Sequence, residues 1–178
     1  MTDSMPAASS ISCSPDRCSK QSTGHGSGRC PVSGAVSLNV DLVTLKAMLT
    51  SSALRRLDGR AYRFCPDSEC EVVYFDREAG SVFRKSDVLV RIGRKETTDP
   101  IPVCYCFDIS EADLRREIER YGKTDIPAMI TAEVRAGHCA CEVRNPQGTC
   151  CLGIVSKAAK RIQAEVATSA AEMRVVHR

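Results

Sequence analysis

Six cysteines crowd into residues 104–151, as Cys104-Tyr105-Cys106, then His138-Cys139-Ala140-Cys141, then Cys150-Cys151. Thiolates are soft metal ligands, and four that converge can hold an iron–sulfur cluster or a zinc ion. The paired spacing matches no common zinc-finger pattern. Each group also stands in a loop or at the start of a helical pattern, where backbone N–H groups stabilise thiolates and an anionic cluster together. Iron–sulfur chemistry is therefore the favoured reading. Six residues for four positions leave a surplus of two. Small buried hydrophobes or a disulfide such as Cys139 to Cys150 are the competing readings.

A second set lies upstream: Cys30-Pro31-Val32-Ser33-Gly34, and Cys65 and Cys70 across the turn Pro66-Asp67-Ser68-Glu69. Two cysteines at a hairpin tip and a third before a tight glycine turn make three corners of a tetrahedral zinc site. Asp67, inside the loop, is the nearest oxygen donor for the fourth corner; Ser33, His25 and Cys18 are others. Inert thiols are the alternative. Outside these groups little chemistry is visible. His138 reads as an exposed loop histidine, and His177 lies at the chain end. Arg115, Arg116, Glu117 and Glu119 read as a solvated helix face. There is no glycine-rich phosphate loop, no Ser/His/Asp arrangement and no paired carboxylates, so hydrolase or transferase chemistry has no machinery and no catalytic residue is assigned.

The whole chain suits metal-dependent folding. It has 178 residues, 11 Cys, 3 His, no Trp, and only 4 Phe and 4 Tyr. With few aromatics to fill a core, metal binding is expected to contribute to stability. An odd cysteine count fits a fully paired disulfide framework poorly, which points to a reduced, cytoplasmic setting. No run of about 18 apolar residues exists, so no membrane insertion is expected. The N-terminus lacks the pattern of a secretory signal. A net charge of +3 is too small and too scattered to imply nucleic acid.

Three regions follow from the patterning. Residues 1–28, rich in Ser, Gly, Pro and Ala, read as a disordered tail containing Cys13, Cys18 and His25. Residues 29–97 read as a small β region. A short helix is expected from near Ser37 or Asn39 to Ser51-Ser52, then a hairpin of Tyr62–Phe64 with Val72–Phe75. Further strands are expected at Val82-Phe83 and Val88–Ile92. Residues 98–178 read as helical. Ser110 caps a helix stopped by Gly122, Thr124 caps a second ended by Gly137, and a third runs from about Leu152 toward Met173.

Two strings carry a family resemblance. Cys104-Tyr105-Cys106-Phe107, followed by a helix and Gly137-His138-Cys139, resembles the bacterioferritin-associated ferredoxin, a small helical [2Fe-2S] module. The longer run Ala136–Gly153, with Tyr62-Arg63-Phe64-Cys65-Pro66 and Cys70–Phe75, is similar to the iron–sulfur form of the CopZ-type copper chaperones, over about residues 30–155. The resemblance implies an α+β chain: a small zinc-binding β region followed by a helical region like that ferredoxin, holding a [2Fe-2S] cluster. Cys104, Cys106, Cys141 and Cys151 are the implied cluster ligands, with Cys139 and Cys150 as alternates; Cys30, Cys65, Cys70 and Asp67 are the zinc set.

The implied task is one-electron transfer in copper handling: reduction of Cu(II) to Cu(I), then delivery or sequestration. This describes an electron-transfer protein, with cupric reductase activity as its one enzymatic form. Cu(I) would be a transient guest at spare cysteines. A copper-exporting ATPase or another copper protein is the implied partner, beside an electron donor. The alternative is a redox-sensing or ferredoxin-like binding module with a structural cluster and no copper role. The chain departs from the family pattern twice. Ser33 stands where the family often has a zinc thiolate in Cys-Pro-x-Cys-Gly, and no Cys-x-x-Cys, the copper loop of the full-length carriers, occurs anywhere.

Overall fold

The computed structural model describes residues 28–76 and 80–176. Cys13, Cys18, His25 and His177 lie outside them. Mixed helix and sheet bears out the expected α+β class.

The first half is built on the expected hairpin. Strands β2 (Tyr62–Phe64) and β3 (Val72–Asp76) pair antiparallel, with Arg63 opposite Phe75. The sheet is wider than the hairpin, in the order β1-β2-β3-β4. Strand β4 (Val82–Arg84) lies where a strand was expected. Strand β1 (Leu38–Val40) corrects the expected helix start, because this segment covers the open edge of β2. Asp41 then leads into helix α1 (Leu42–Met48), and a one-turn helix α2 (Ser51–Leu54) follows under the Thr50 cap. Val88–Ile92 is not a strand. Leu89 N–H donates to the Met48 carbonyl at the end of α1, and Val88 bridges Leu49, so the segment docks on the helices and leaves the sheet edge. A 3-10 turn, Gly93–Lys95, follows. Leu45, Phe64, Tyr74 and Phe83 fill the core between sheet and helices, all fully buried.

The second half opens with an unexpected element. Strands β5 (Pro102–Cys104) and β6 (Ile109–Ser110) form a two-stranded ribbon. Cys104 thus lies in a strand and Cys106 in its turn, not directly at a helix start. Helix α3 (Glu111–Tyr121) begins at the expected cap: Ser110 Oγ accepts from Asp113 N–H while the Asp113 carboxylate accepts from Ser110 N–H. Gly122, at φ +74°, ends it in the left-handed region. Helices α4 (Ile126–Arg135), α5 (Cys141–Arg144) and α6 (Leu152–Val176) follow. The α6 helix packs along α3 and α4, burying Leu114, Ile118, Ile130, Val155 and Ile162. Each such side chain contributes roughly 1.5–3 kcal/mol on leaving water. Arg115, read as solvated, reaches Glu165 of α6 at 2.6 Å. Among the described residues, no helix is long and apolar enough to cross a membrane.

The halves are pinned together around one loop. Thr44 Oγ1 on α1 donates to the Glu142 carbonyl at 2.7 Å, and Tyr74 Oη on β3 donates to the Pro146 carbonyl at 2.6 Å. Both acceptors lie between Cys141 and Cys151.

Candidate metal centres

Cys30, Cys65 and Cys70 meet beneath the sheet. Their sulfurs lie within 4.8 Å of one another, and all three residues are buried. Cys65 leaves β2 and Cys70 enters β3, so the strand pairing brings them together. Cys30 opens a tight turn in which Gly34 N–H donates back to the Cys30 carbonyl at 2.9 Å. Gly34 closes that turn at φ +71°.

The donor set fits zinc. Zn–S bonds of ~2.3 Å at tetrahedral angles put sulfurs about 3.8 Å apart; Cys30 and Cys70 Sγ are 3.8 Å apart. Ser33 Oγ lies 3.5 Å from Cys65 Sγ. A Zn–O bond of about 2.0 Å gives an oxygen–sulfur edge of about 3.5 Å. Ser33 Oγ is thus at the separation from Cys65 that an oxygen ligand completing a tetrahedral site would have. The Asp67 carboxylate does not join the group; it accepts the Glu69 N–H within its own turn at 3.0 Å. Burial opposes ionisation of Cys30, but hydrogen bonds from the Ser33 and Val32 backbone bring its thiol down to about 7. Burial pushes Cys65 up.

In the second half, four thiols from three segments form two close pairs. Cys104 and Cys151 Sγ are 3.0 Å apart, and Cys106 and Cys141 Sγ are 3.7 Å apart. The 3.7 Å separation equals a tetrahedral edge within about 0.1 Å, and the closer pair would open by about 0.8 Å. Cys104, Cys141 and Cys151 are buried, while Cys106 is half-exposed. Ala140 N–H donates to Cys106 Sγ at 3.4 Å. Hydrogen bonding with Cys141 and that N–H hold Cys106 near 7. The hydrogen bonds it shares with Cys104 and Cys141 pull Cys151, at the N-terminus of α6, to about 4. Cys104 is pushed up by its contact with Cys151 and by burial; Cys141 is pushed up by its contact with Cys106.

The surplus cysteines take other positions. Cys139 is buried and Cys150 is half-buried. His138 is exposed and turns to Glu133, its Nδ1 2.7 Å from the carboxylate. A cleft of about 750 Å³ opens beside Cys104, lined by Met48 and Arg91 from the first half and Ile109, Arg116 and Arg144 from the second. Sequence reasoning missed the Tyr74 and Thr44 tethers, because nothing local marks a contact to residues 72 and 98 positions away.

Residues 27–89 match a family described as a zinc binding domain, zf_CopZ. The copper chaperone CopZ of Archaeoglobus fulgidus is 34% identical over 145 residues, covering 76% of this chain and 68% of that protein. The chain belongs to the CopZ family. The X-ray structure of the Archaeoglobus fulgidus CopZ N-terminal domain superimposes with a TM-score of 0.63 at 32% identity, over 72% of this chain and 95% of that one. The expected CopZ kinship and zinc-binding domain are thereby shown. The zinc-domain match covers the turn of Cys30 and Ser33 and the hairpin of Cys65 and Cys70. The four clustered thiols of the second half lie beyond it.

Proposed function

We propose that this CopZ relative is a two-centre metal protein that transfers one electron in copper handling. Its domains would divide as 29–97, holding zinc at Cys30, Cys65, Cys70 and Ser33, and 98–178, a module like the bacterioferritin-associated ferredoxin holding [2Fe-2S] at Cys104, Cys106, Cys141 and Cys151. When bound, such a cluster supplies a one-electron couple, the stoichiometry that takes Cu(II) to Cu(I). The observation that carries this reading is the pairing of four thiols from three segments, at 3.0 and 3.7 Å.

The chain's own residues have definable tasks. Cys104, Cys106, Cys141 and Cys151 would be the thiolates that hold the cluster. All four would bind as thiolates, so loading would release protons. The Thr44 and Tyr74 tethers hold the 141–151 loop in register with the ribbon. The cleft beside Cys104 gives a reaction partner a face close to the centre. Copper is the substrate, to be received as Cu(II) and passed on as Cu(I) to a copper protein such as an exporting ATPase.

Anaerobic purification with iron, sulfide and zinc counted on one sample tests the architecture. Two irons, two sulfides and one zinc are expected, with an EPR signal only after one-electron reduction. Cu(II) should then reoxidise the reduced protein without loss of iron. Reoxidation by other acceptors but not by copper would favour a sensing or ferredoxin-like module. A colourless protein carrying zinc alone, even after cluster reconstitution, would sink the electron-transfer reading.

A further inference from the structure

Lys95 is a buried charge with no carboxylate partner among the described residues. It ends the 3-10 turn in the segment joining the halves, outside the residues that match the zinc-binding domain, and is 3% exposed. Its Nζ donates to the Cys70 carbonyl at 2.9 Å and to the Asp67 carbonyl, gripping the loop that carries two zinc-centre cysteines. The Phe64 ring centroid lies 5.9 Å from Nζ. Among the described residues, no carboxylate stands within ion-pair distance of it.

A buried ammonium without a counter-ion costs several kcal/mol. Two carbonyl dipoles and a ring face offset part of that cost. The balance needs an anion. Three thiolates around a divalent cation sum to −1, and one ammonium brings the assembly to zero.

We propose that Lys95 is the counter-charge of the zinc centre, a positioning residue whose ammonium stabilises the anionic zinc–thiolate assembly while its hydrogen bonds hold the Cys65–Cys70 loop. The proposal rests on the reading of Cys30, Cys65 and Cys70 as zinc ligands. It explains why a lysine can be buried between a metal loop and an aromatic ring.

The test compares full-length wild type, Lys95→Gln and Lys95→Arg, each with zinc counted after purification and its transfer to a chromophoric chelator timed. Gln keeps hydrogen-bond donors without charge; Arg keeps the charge. Lys95→Gln is expected to release zinc about tenfold faster, and Lys95→Arg to stay within roughly threefold of wild type. Zinc release by Lys95→Gln at the wild-type rate overturns the proposal. So does equal loss in both variants, which would make the lysine a packing element alone. Wild type that carries no zinc would instead remove the zinc reading on which the proposal rests, a failure the metal count identifies separately.

Discussion

The Tyr74 hydroxyl, buried in the middle of the four-stranded sheet, donates to the carbonyl of Pro146 at 2.6 Å, in the loop between Cys141 and Cys151. One hydrogen bond thus joins the core of the first half to the loop that presents thiols in the second. Burial pushes this hydroxyl far above the usual tyrosine range, so it stays a donor at any physiological pH.

Removing that donor leaves the Pro146 carbonyl buried and unpaired. Tyr74→Phe should therefore lose about 1–3 kcal/mol in urea unfolding. It should also retain iron less firmly against a chelator, because the loop loses its tether. Unchanged stability would show that water replaces the hydroxyl.

The same loop turns at Gly148, at φ +65°. A Cβ there would sit 2.8 Å from Thr44 Oγ1, so Gly148→Ala combines backbone strain with a clash against the second tether. Expected is a further loss of about 1–3 kcal/mol, seen as a lower Tm.

Under the proposed cluster, Cys104, Cys106, Cys141 and Cys151 are ligands and Cys139 is a spare. Cys104→Ser and Cys151→Ser should lose most of their bound iron, and Cys139→Ser should keep it. Iron analysis with visible circular dichroism would decide. Iron loss in Cys139→Ser with retention in Cys141→Ser would exchange those two assignments.

At the zinc centre, Ser33→Cys places a fourth thiolate where the hydroxyl now stands, 3.5 Å from Cys65 Sγ. Zinc should then be held at least roughly tenfold more tightly, about 1.4 kcal/mol, in a chelator competition. Asp67→Asn should leave zinc affinity unchanged, because that carboxylate is committed to its own turn. Weaker zinc binding by Asp67→Asn would return aspartate to the ligand set.

Reactivity of the metal-free protein should follow ionisation. Cys106 is half-exposed and its thiol is held near 7, below the usual ~8.5 of a free cysteine. A lowered value means thiolate appears earlier as pH rises. Alkylation of Cys106 should therefore rise between pH 6 and 8 and level off by about pH 8, where an ordinary cysteine is still climbing. Metal loading should abolish it. A midpoint near 8.5 would show that the Cys141 and Ala140 contacts do not hold in solution.

What could be read in advance depended on how local the signal was. The hairpin of Tyr62–Phe64 with Val72–Asp76 was legible from alternation and turn residues, and α3 from the Ser110 cap and the Gly122 stop. Leu38–Val40 was misread as helical because its apolar residues continue into those of α1; its strand pairing depends on Phe64, 26 positions on. The short β5–β6 ribbon was missed for the opposite reason, since two or three residues are too few to show a period.

The sequence by itself determined the chemistry available: eleven cysteines, nine of them in two sets, with helices and a hairpin to carry them. Thiol-rich loops and helix caps are written in neighbouring residues, so composition and spacing reveal them. Tertiary structure alone decided which atoms meet. It brought the Ser33 hydroxyl beside Cys65 while Asp67 stayed within its own turn, paired Cys104 with Cys151 and Cys106 with Cys141, and buried Lys95 against the Cys65–Cys70 loop. Those contacts span about 25 to 50 positions, and they depend on how sheet and helices pack, a property no local pattern encodes.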